Sequence, residues 1–175
     1  EDKENTMELF QVWLNLPKKN KMTDPHFTML WGETIPKYVH TNAGGGKTTV
    51  EIIAGQIGKL RAPAPPPASW AADPANEVAV WNITMEPGTT WKMPAASPGI
   101  NRTLYYYIGD HLKIDGRTIP SYHQAEVEGD MALSLENGDS EARILVLQGR
   151  PINEPVIQYG PFVMNTKEEI KQAFD

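Results

Sequence analysis

The feature that most constrains the fold is a repeated alternation of short strand-like runs with turn residues. The runs are rich in β-branched and aromatic residues, and Gly, Asn, Asp and Pro separate them along most of the chain. This spacing is typical of an all-β sandwich or barrel, and it predicts that fold class here. The predicted strands are residues 9–16, 35–41, 48–54, 77–85, 102–108, 111–114, 131–136 and 142–147.

Two segments break this pattern. The Pro/Ala-rich residues 62–68 cannot donate most of the hydrogen bonds of a sheet, so we expect an extended surface connection there. Near the end of the chain, Thr166 is followed three residues later by Glu169, which is the spacing of a helix capping box. The residues after Thr166 therefore predict a short amphipathic helix over 167–174, with Ile170 on its apolar face.

Composition limits the possible functions. The chain has 175 residues, and its 16 basic and 22 acidic residues give a formal charge of -6. This charge argues against nonspecific binding to the phosphates of nucleic acids. The absence of cysteine removes disulfides, thiolate metal sites and cysteine nucleophiles. Residues 1–8 are polar and acidic, unlike a signal peptide, and no transmembrane run follows. We expect a cytoplasmic protein, nuclear as well if eukaryotic, without a nucleic-acid or membrane partner.

A glycine run at residues 44–46, followed by Lys47 and Thr48, superficially suggests a nucleotide-binding loop. The position at which such a loop needs its first glycine is Thr41, and the residues that follow favour a strand instead of the required helix. The run is therefore interpreted as a hairpin connection.

Two further segments carry a family resemblance. Residues 149–166 form a run rich in proline and aromatic residues without helical or strand periodicity, and residues 9–17 read Leu-Phe-Gln-Val-Trp-Leu-Asn-Leu-Pro. Together they resemble the second half of the pirins, a two-domain family of the cupin superfamily. The resemblance implies a cupin jelly-roll barrel with a short C-terminal helix. Its implied divisions are a polar extension at 1–8, a cupin domain at 9–165 and a helix packed on the barrel at 166–175.

The resemblance also implies where the chemistry of the family lies. Pirins resemble one another in carrying a metal site in a first jelly roll, which would precede Leu9, so iron or another divalent metal is expected there and no cofactor in this chain. Family members are associated with quercetin 2,3-dioxygenase activity or, in eukaryotes, with transcription co-regulation through nuclear proteins. This chain is then expected to be the structural and interaction half. Its implied partner is the N-terminal cupin domain, or another chain that covers the apolar side chains of residues 9–16.

The chain retains glycines of the superfamily's metal-site motifs but not the metal ligands. Its motifs place two histidines, a glutamate and a further histidine at fixed distances from glycines, and this frame is retained by Gly88, Gly109 and Gly129. The ligand positions hold residues that do not suit divalent iron: Pro94 and Ala96 for the first two histidines, Asn101 or Arg102 for the glutamate, and Ala132 for the last histidine. No metal ligand or catalytic residue is therefore predicted in this chain.

An alternative function is a small-molecule-binding or weakly catalytic barrel with its own pocket. Trp81, with other aromatic residues on neighbouring strands, could line such a barrel, although core packing is the simpler explanation. Two histidines brought together by the fold, with Glu126, could add acid–base chemistry. The pocket residues predicted for this alternative are Trp91, Tyr105, Tyr107, His111 and His123.

Overall fold

The structure is a computed structural model that describes residues 7–174, so most of the predicted extension at 1–8 lies outside the described residues. Within them, strands dominate and a single short α-helix follows near the end. The elements, in chain order, are Lys37–Thr41 (β1), Lys47–Ala54 (β2), Gln56–Ile57 (β3), Leu60–Arg61 (β4), Ala79–Met85 (β5), Thr90–Met93 (β6), Asn101–Ile108 (β7), Leu112–Ile114 (β8), Arg117–Ile119 (β9), His123–Glu128 (β10), Leu133–Asn137 (β11), Ala142–Gly149 (β12), Ile157–Tyr159 (β13), Phe162–Met164 (β14) and Lys167–Phe174 (α1).

Two antiparallel sheets face each other across the core. The larger sheet has the strand order β1-β2-β5-β12-β7-β10, and the smaller sheet has the order β6-β11-β8-β9. Several neighbours in space are distant in sequence, as where β12 lies between β5 and β7. Such crossovers between two packed sheets are those of a jelly roll. The all-β prediction is confirmed.

Alternation along the strands builds the core. In β5, every second residue from Ala79 to Met85 is buried, and β7 and β11 follow the same period of two. Side chains from both sheets meet between them, and Trp81, Leu104 and Leu135 are among the buried residues. Because the period runs through whole strands, one face of each sheet is committed to the core and the other faces outward.

Most predicted strands are found, with ends shifted by no more than two residues. The glycine run forms the turn between β1 and β2, with Gly45 at a φ of 85° that favours glycine. Residues 62–68 lie outside the strands, as expected for a proline-rich connection. The strands that the turn signals did not predict include β6, β9 and the hairpins β3–β4 and β13–β14.

The strand predicted at residues 9–16 is wrong. This segment is irregular and crosses the outer face of the larger sheet, where the ring of Phe10 lies edge-on to Tyr107 with 4.8 Å between the centroids. A segment that contacts the face of a sheet through side chains cannot pair its backbone, because the ladder hydrogen bonds lie in the plane of the sheet. Alternating apolar residues therefore gave a strand-like pattern without a strand.

The C-terminal helix follows its prediction closely. Thr166 Oγ1 accepts a hydrogen bond from Glu169 N (3.1 Å), and Glu169 Oε2 accepts one from Thr166 N (3.0 Å), which is a reciprocal capping box. Ile170 is buried, and the ring centroids of Phe174 and Phe162 are 4.8 Å apart. The prediction placed the helix on the barrel, and its observed aromatic contacts are with the β13–β14 hairpin. No helix within residues 7–174 is long and apolar enough to span a membrane.

Candidate functional site

Arg102 occupies an inward position at one end of the barrel. The alternation of β7 buries Arg102, Leu104 and Tyr106 and leaves Asn101 exposed, and only 2% of Arg102 is accessible. In the sheet, Arg102 lies beside Gln148 of β12. Of the two residues predicted at the glutamate position of the cupin motif, Arg102 is the one directed into the barrel.

The guanidinium of Arg102 is only partly satisfied. Its Nε donates to Gln148 Oε1 (2.8 Å) and its Nη2 donates to Pro94 O (3.0 Å), while Nη1 has no hydrogen-bond partner within residues 7–174. Burial lowers the pKa of Arg102, and the negative charge of Glu77 opposes that shift. The barrel therefore holds a buried cation whose hydrogen-bonded partners are both neutral.

The loops that carry the other positions of the cupin motif converge beside Arg102. Ala96 N donates to Gly129 O (2.8 Å), so the segments of the two motifs are in direct contact. Gly129 packs so closely on Ile100 O that a Cβ atom would overlap it. Pro94 and Ala132, which stand at two ligand positions of these motifs, are both exposed and offer no side-chain ligand atom.

These residues do not fit a divalent metal ion. The guanidinium already places a positive charge at the glutamate position, and a second cation beside it would be repelled in this poorly hydrated interior. Within residues 7–174, no cluster of three or more His, Cys, Asp or Glu side chains is placed to hold a metal.

A groove of about 920 Å³ opens at the same end of the barrel. One wall comes from the N-terminal segment, with Leu14 and Phe27, and the opposite wall comes from Ile57 and the proline-rich connection. Its inner part reaches Trp81, which is 2% exposed. The Nε1 donor of Trp81 has no hydrogen-bond partner in the described part of the chain. The groove has the size of a small-molecule site, and its mostly apolar lining also includes the ionisable residues His26, Arg61, Asp73 and Glu77.

The three aromatic pocket residues predicted from the sequence lie apart. Trp91 is buried in the core between the sheets, 6.1 Å from the ring of Tyr38. Tyr105 and Tyr107 lie on the outer face of the larger sheet, because Tyr106 between them points inward. The expectation that Tyr105 and Tyr107 line the barrel is therefore corrected: the alternation of β7 turns them outward.

The two histidines predicted for the pocket are also separate. His111 lies in the turn after β7, exposed, with Nδ1 3.5 Å from Asp110 Oδ1. His123 lies exposed at the start of the edge strand β10, where Nδ1 is 3.0 Å from Ser121 O, and Glu126 is exposed on the same strand. Neither histidine lines the groove at the Arg102 end.

Tyr107 fastens the N-terminal segment to the outer face of the larger sheet. Its Oη lies 2.9 Å from Asn82 Oδ1 and 3.3 Å from Glu8 Oε1. Glu8 Oε2 is also 3.8 Å from Arg143 Nη1. Burial and the charge of Glu8 raise the pKa of Tyr107 to about 12. The phenol is therefore neutral at physiological pH and can donate a hydrogen bond.

The two segments that carry the family resemblance contact each other and form one surface. Glu154 Oε2 accepts from Lys18 N (2.6 Å), directly after the first segment, and from Asn165 Nδ2 (3.0 Å) within the second segment. Beside this junction lies a second groove of about 430 Å³. We call this surface the motif face, and its apolar residues are Trp13, Leu14, Leu16, Val156, Pro161 and Val163.

Comparison with known proteins accounts for this architecture. Residues 80–175, more than half of the chain, match the Pirin C-terminal cupin domain. A Pseudomonas aeruginosa protein provisionally named as a quercetin 2,3-dioxygenase is 35% identical over 99% of this chain and 58% of its own length. A pirin-like protein of Solanum lycopersicum is 34% identical over 97% of this chain and 54% of its own length. The chain therefore spans little more than half the length of these relatives.

A solved structure gives the same result. The crystal structure of a quercetin 2,3-dioxygenase from Acinetobacter baumannii superposes with a TM-score of 0.73 and 26% sequence identity. The match covers 91% of this chain and 51% of that one. The cupin barrel predicted from the sequence is thereby confirmed. This chain belongs to the pirin family and contains its C-terminal cupin domain.

Proposed function

We propose that this chain is the metal-free structural and interaction half of a pirin-type protein. The observation that carries the proposal is the buried guanidinium of Arg102 at the glutamate position of the cupin motif. A cation fixed at that position opposes metal binding, and the remaining ligand positions hold Pro94, Ala96 and Ala132.

In this proposal, the metal chemistry belongs to an N-terminal cupin domain of the same protein. Iron, or another divalent metal, is held there, and the reaction is of the quercetin 2,3-dioxygenase type. In a eukaryotic protein, the same two-domain unit serves transcription co-regulation through nuclear proteins. The relatives are nearly twice as long as the matched segment, which leaves room for such a domain.

The motif face is the surface that we assign to this partner domain. Trp13 is 58% exposed and Val156 is 61% exposed, and both border the 430 Å³ groove. Large apolar side chains gathered around a groove favour a protein contact, since their burial removes apolar area from water. Leu9 and Val12 of the N-terminal segment are also exposed, at 78% and 41%.

The test supplies the part of the Pseudomonas relative that this chain does not match, where we place the metal-binding cupin domain, and measures its association with this chain by sedimentation velocity. The double variant Trp13→Ser, Val156→Ser is expected to weaken association about tenfold or more, because it removes two central apolar contacts. Met131→Ser is the matched control, since Met131 is equally exposed at 59% but does not line the groove of the motif face. The assignment is overturned by the absence of a complex, or by a complex that the double variant leaves unchanged.

A further inference from the structure

The turn that follows β11 contains the dipeptide Asn137–Gly138, and the sequence has one Asn–Gly dipeptide. In an unstructured peptide, asparagine loses its side-chain amide most readily when glycine follows it, because no side chain then hinders the next backbone nitrogen. Asparagine is accordingly one of the thermolabile residues of proteins. A fold that carries this dipeptide can prevent the reaction only by keeping the two groups apart.

The side chain of Asn137 is held by the end of the barrel away from Arg102. Asn137 is 9% exposed, and its Nδ2 lies 2.7 to 3.1 Å from the carbonyl oxygens of Met85, Glu86 and Ser140. The amide thereby closes this end, since it joins the end of β5 to the turn before β12. While these hydrogen bonds persist, the side chain cannot turn towards the backbone of the next residue.

The backbone nitrogen of Gly138 is directed to a different partner. It donates to His111 O (3.0 Å), and Gly138 O accepts from Gly88 N (2.7 Å). Gly138 also packs so closely on the His111 ring that an added Cβ would overlap it. Attack of this nitrogen on the Asn137 side chain therefore requires local opening, in which hydrogen bonds of both residues break.

We propose that Asn137 is a deamidation site gated by the fold, inert while this end of the barrel is closed and reactive when it opens. In the open form, Gly138 N bonds to Asn137 Cγ. The side-chain nitrogen leaves as ammonia and takes with it the proton of Gly138 N. Water then opens the resulting succinimide ring and gives aspartate or isoaspartate at this position. The reaction needs no reactant other than water.

The product should prevent the end from closing again. A carboxylate at position 137 would face the carbonyl oxygens of Met85, Glu86 and Ser140 without a proton to donate to them. Burying a charge without a partner is unfavourable, so opening followed by deamidation is a one-way step. This site is independent of the structural role proposed above, and its failure would leave the metal and association tests of that role unaffected.

The first experiment incubates the full chain in mildly alkaline buffer, with and without denaturing urea. Peptide mass spectrometry follows Asn137 and separates it from aspartate and isoaspartate. A synthetic peptide of residues 131–141 in the same two buffers gives the rate without the fold and corrects for any effect of urea. We expect the unfolded chain to match the peptide and the folded chain to react at least about tenfold more slowly, because only its open fraction reacts.

Gly109→Ala tests whether opening of this end sets the rate. Gly109 lies two residues before His111, and an added Cβ would overlap Tyr106, so the variant should open this end more often without changing either reacting residue. In native buffer we expect it to raise the deamidation rate of Asn137 about tenfold, and Gly44→Ala, whose added Cβ contacts nothing, to leave the rate unchanged. Should Gly109→Ala fail to fold, the folded chain, the unfolded chain and the peptide still decide.

Asn137→Asp tests the one-way step, because it places the product in the fold. We expect it to unfold at a lower urea concentration than the natural chain, and Asn153→Asp, at an exposed position, to unfold at nearly the same concentration as the natural chain. The proposal is overturned if the folded chain deamidates as fast as the peptide, or if folded Gly109→Ala reacts no faster than Gly44→Ala. Equal stability of Asn137→Asp and the natural chain would also overturn it.

Discussion

The two ends of the barrel each bury a polar side chain, but they use it differently. At one end, Asn137 Nδ2 lies 2.7 to 3.1 Å from the carbonyl oxygens of Met85, Glu86 and Ser140, so a neutral amide ties the turns together. At the other end, Arg102 brings a charge, leaves Nη1 without a partner among residues 7–174, and lies behind an open groove. Asn137 Oδ1 likewise has no partner within the described residues, so the two ends differ in the charge of the buried side chain and not in how completely it is paired.

The largest effect is expected from Gly109→Ala, at the Asn137 end. Gly109 has a φ of 137°, and an added Cβ would overlap the ring and hydroxyl of Tyr106. Strain and overlap together should lower the free energy of unfolding by about 3 kcal/mol. Urea denaturation measures this, with Gly44→Ala as control because an added Cβ there contacts nothing. Equal stability of the two variants would show that this turn is looser than described.

Asn137→Ala is expected to have the second-largest effect on stability. Its loss leaves carbonyl oxygens buried without their donor, and we expect the free energy of unfolding to fall by about 2 kcal/mol. Asn101→Ala, on the exposed face of β7, is the matched control and should change stability little. A loss in the Asn137 variant no larger than that of the control would contradict the assignment of Asn137 as the closing residue.

Arg102→Met is expected to change the free energy of unfolding by no more than about 1 kcal/mol. This is less than we expect for Asn137→Ala at the other end of the barrel. Removing a poorly compensated buried charge offsets the loss of its hydrogen bonds to Gln148 and Pro94. The same urea denaturation checks this. A loss as large as that of Asn137→Ala would mean that the guanidinium supports the fold as strongly as the amide does at the other end.

Tyr106, which lies against Gly109 at the Asn137 end, should make the stability of the fold depend on alkaline pH. Burial, and then the charge of Asp110, raise the pKa of Tyr106 above its ordinary value of 10.0. The stabilisation linked to this shift is complete below pH 10.0 and is lost as the pH rises through the folded-state pKa. Tyr106→Phe should remove this part of the alkaline destabilisation, and Tyr122→Phe, at an 87% exposed site, should not. Parallel alkaline unfolding of both variants would contradict the account.

Much of the fold could be predicted because its signals are local. Strand alternation and turn residues predicted most strands, and the pair Thr166 and Glu169 predicted the helix start, since a capping box joins residues three positions apart. The segment at 9–16 could not be predicted in the same way. Its alternation is the same whether it pairs with the edge of a sheet or, as observed, crosses the face of one.

The candidate site was predicted only in part. The motif spacing predicted Asn101 or Arg102 at the glutamate position. Only the burial pattern of β7, which directs Arg102 inward and Asn101 outward, decides between them. The same phase directs Tyr106 inward and Tyr105 and Tyr107 outward. The groove could not be predicted, because its walls come from segments far apart in sequence, from Leu14 to Ala95, that meet only in the fold.

The central claim is that the cupin domain of this chain binds no metal ion, because Arg102 and residues without ligand atoms occupy the motif positions of the metal ligands. Its most direct test is elemental mass spectrometry of the chain after anaerobic incubation with ferrous iron and desalting. The account predicts that no iron is retained, because ligand atoms are missing at the motif positions and a positive charge lies among them. Retention of about one iron per chain would contradict it.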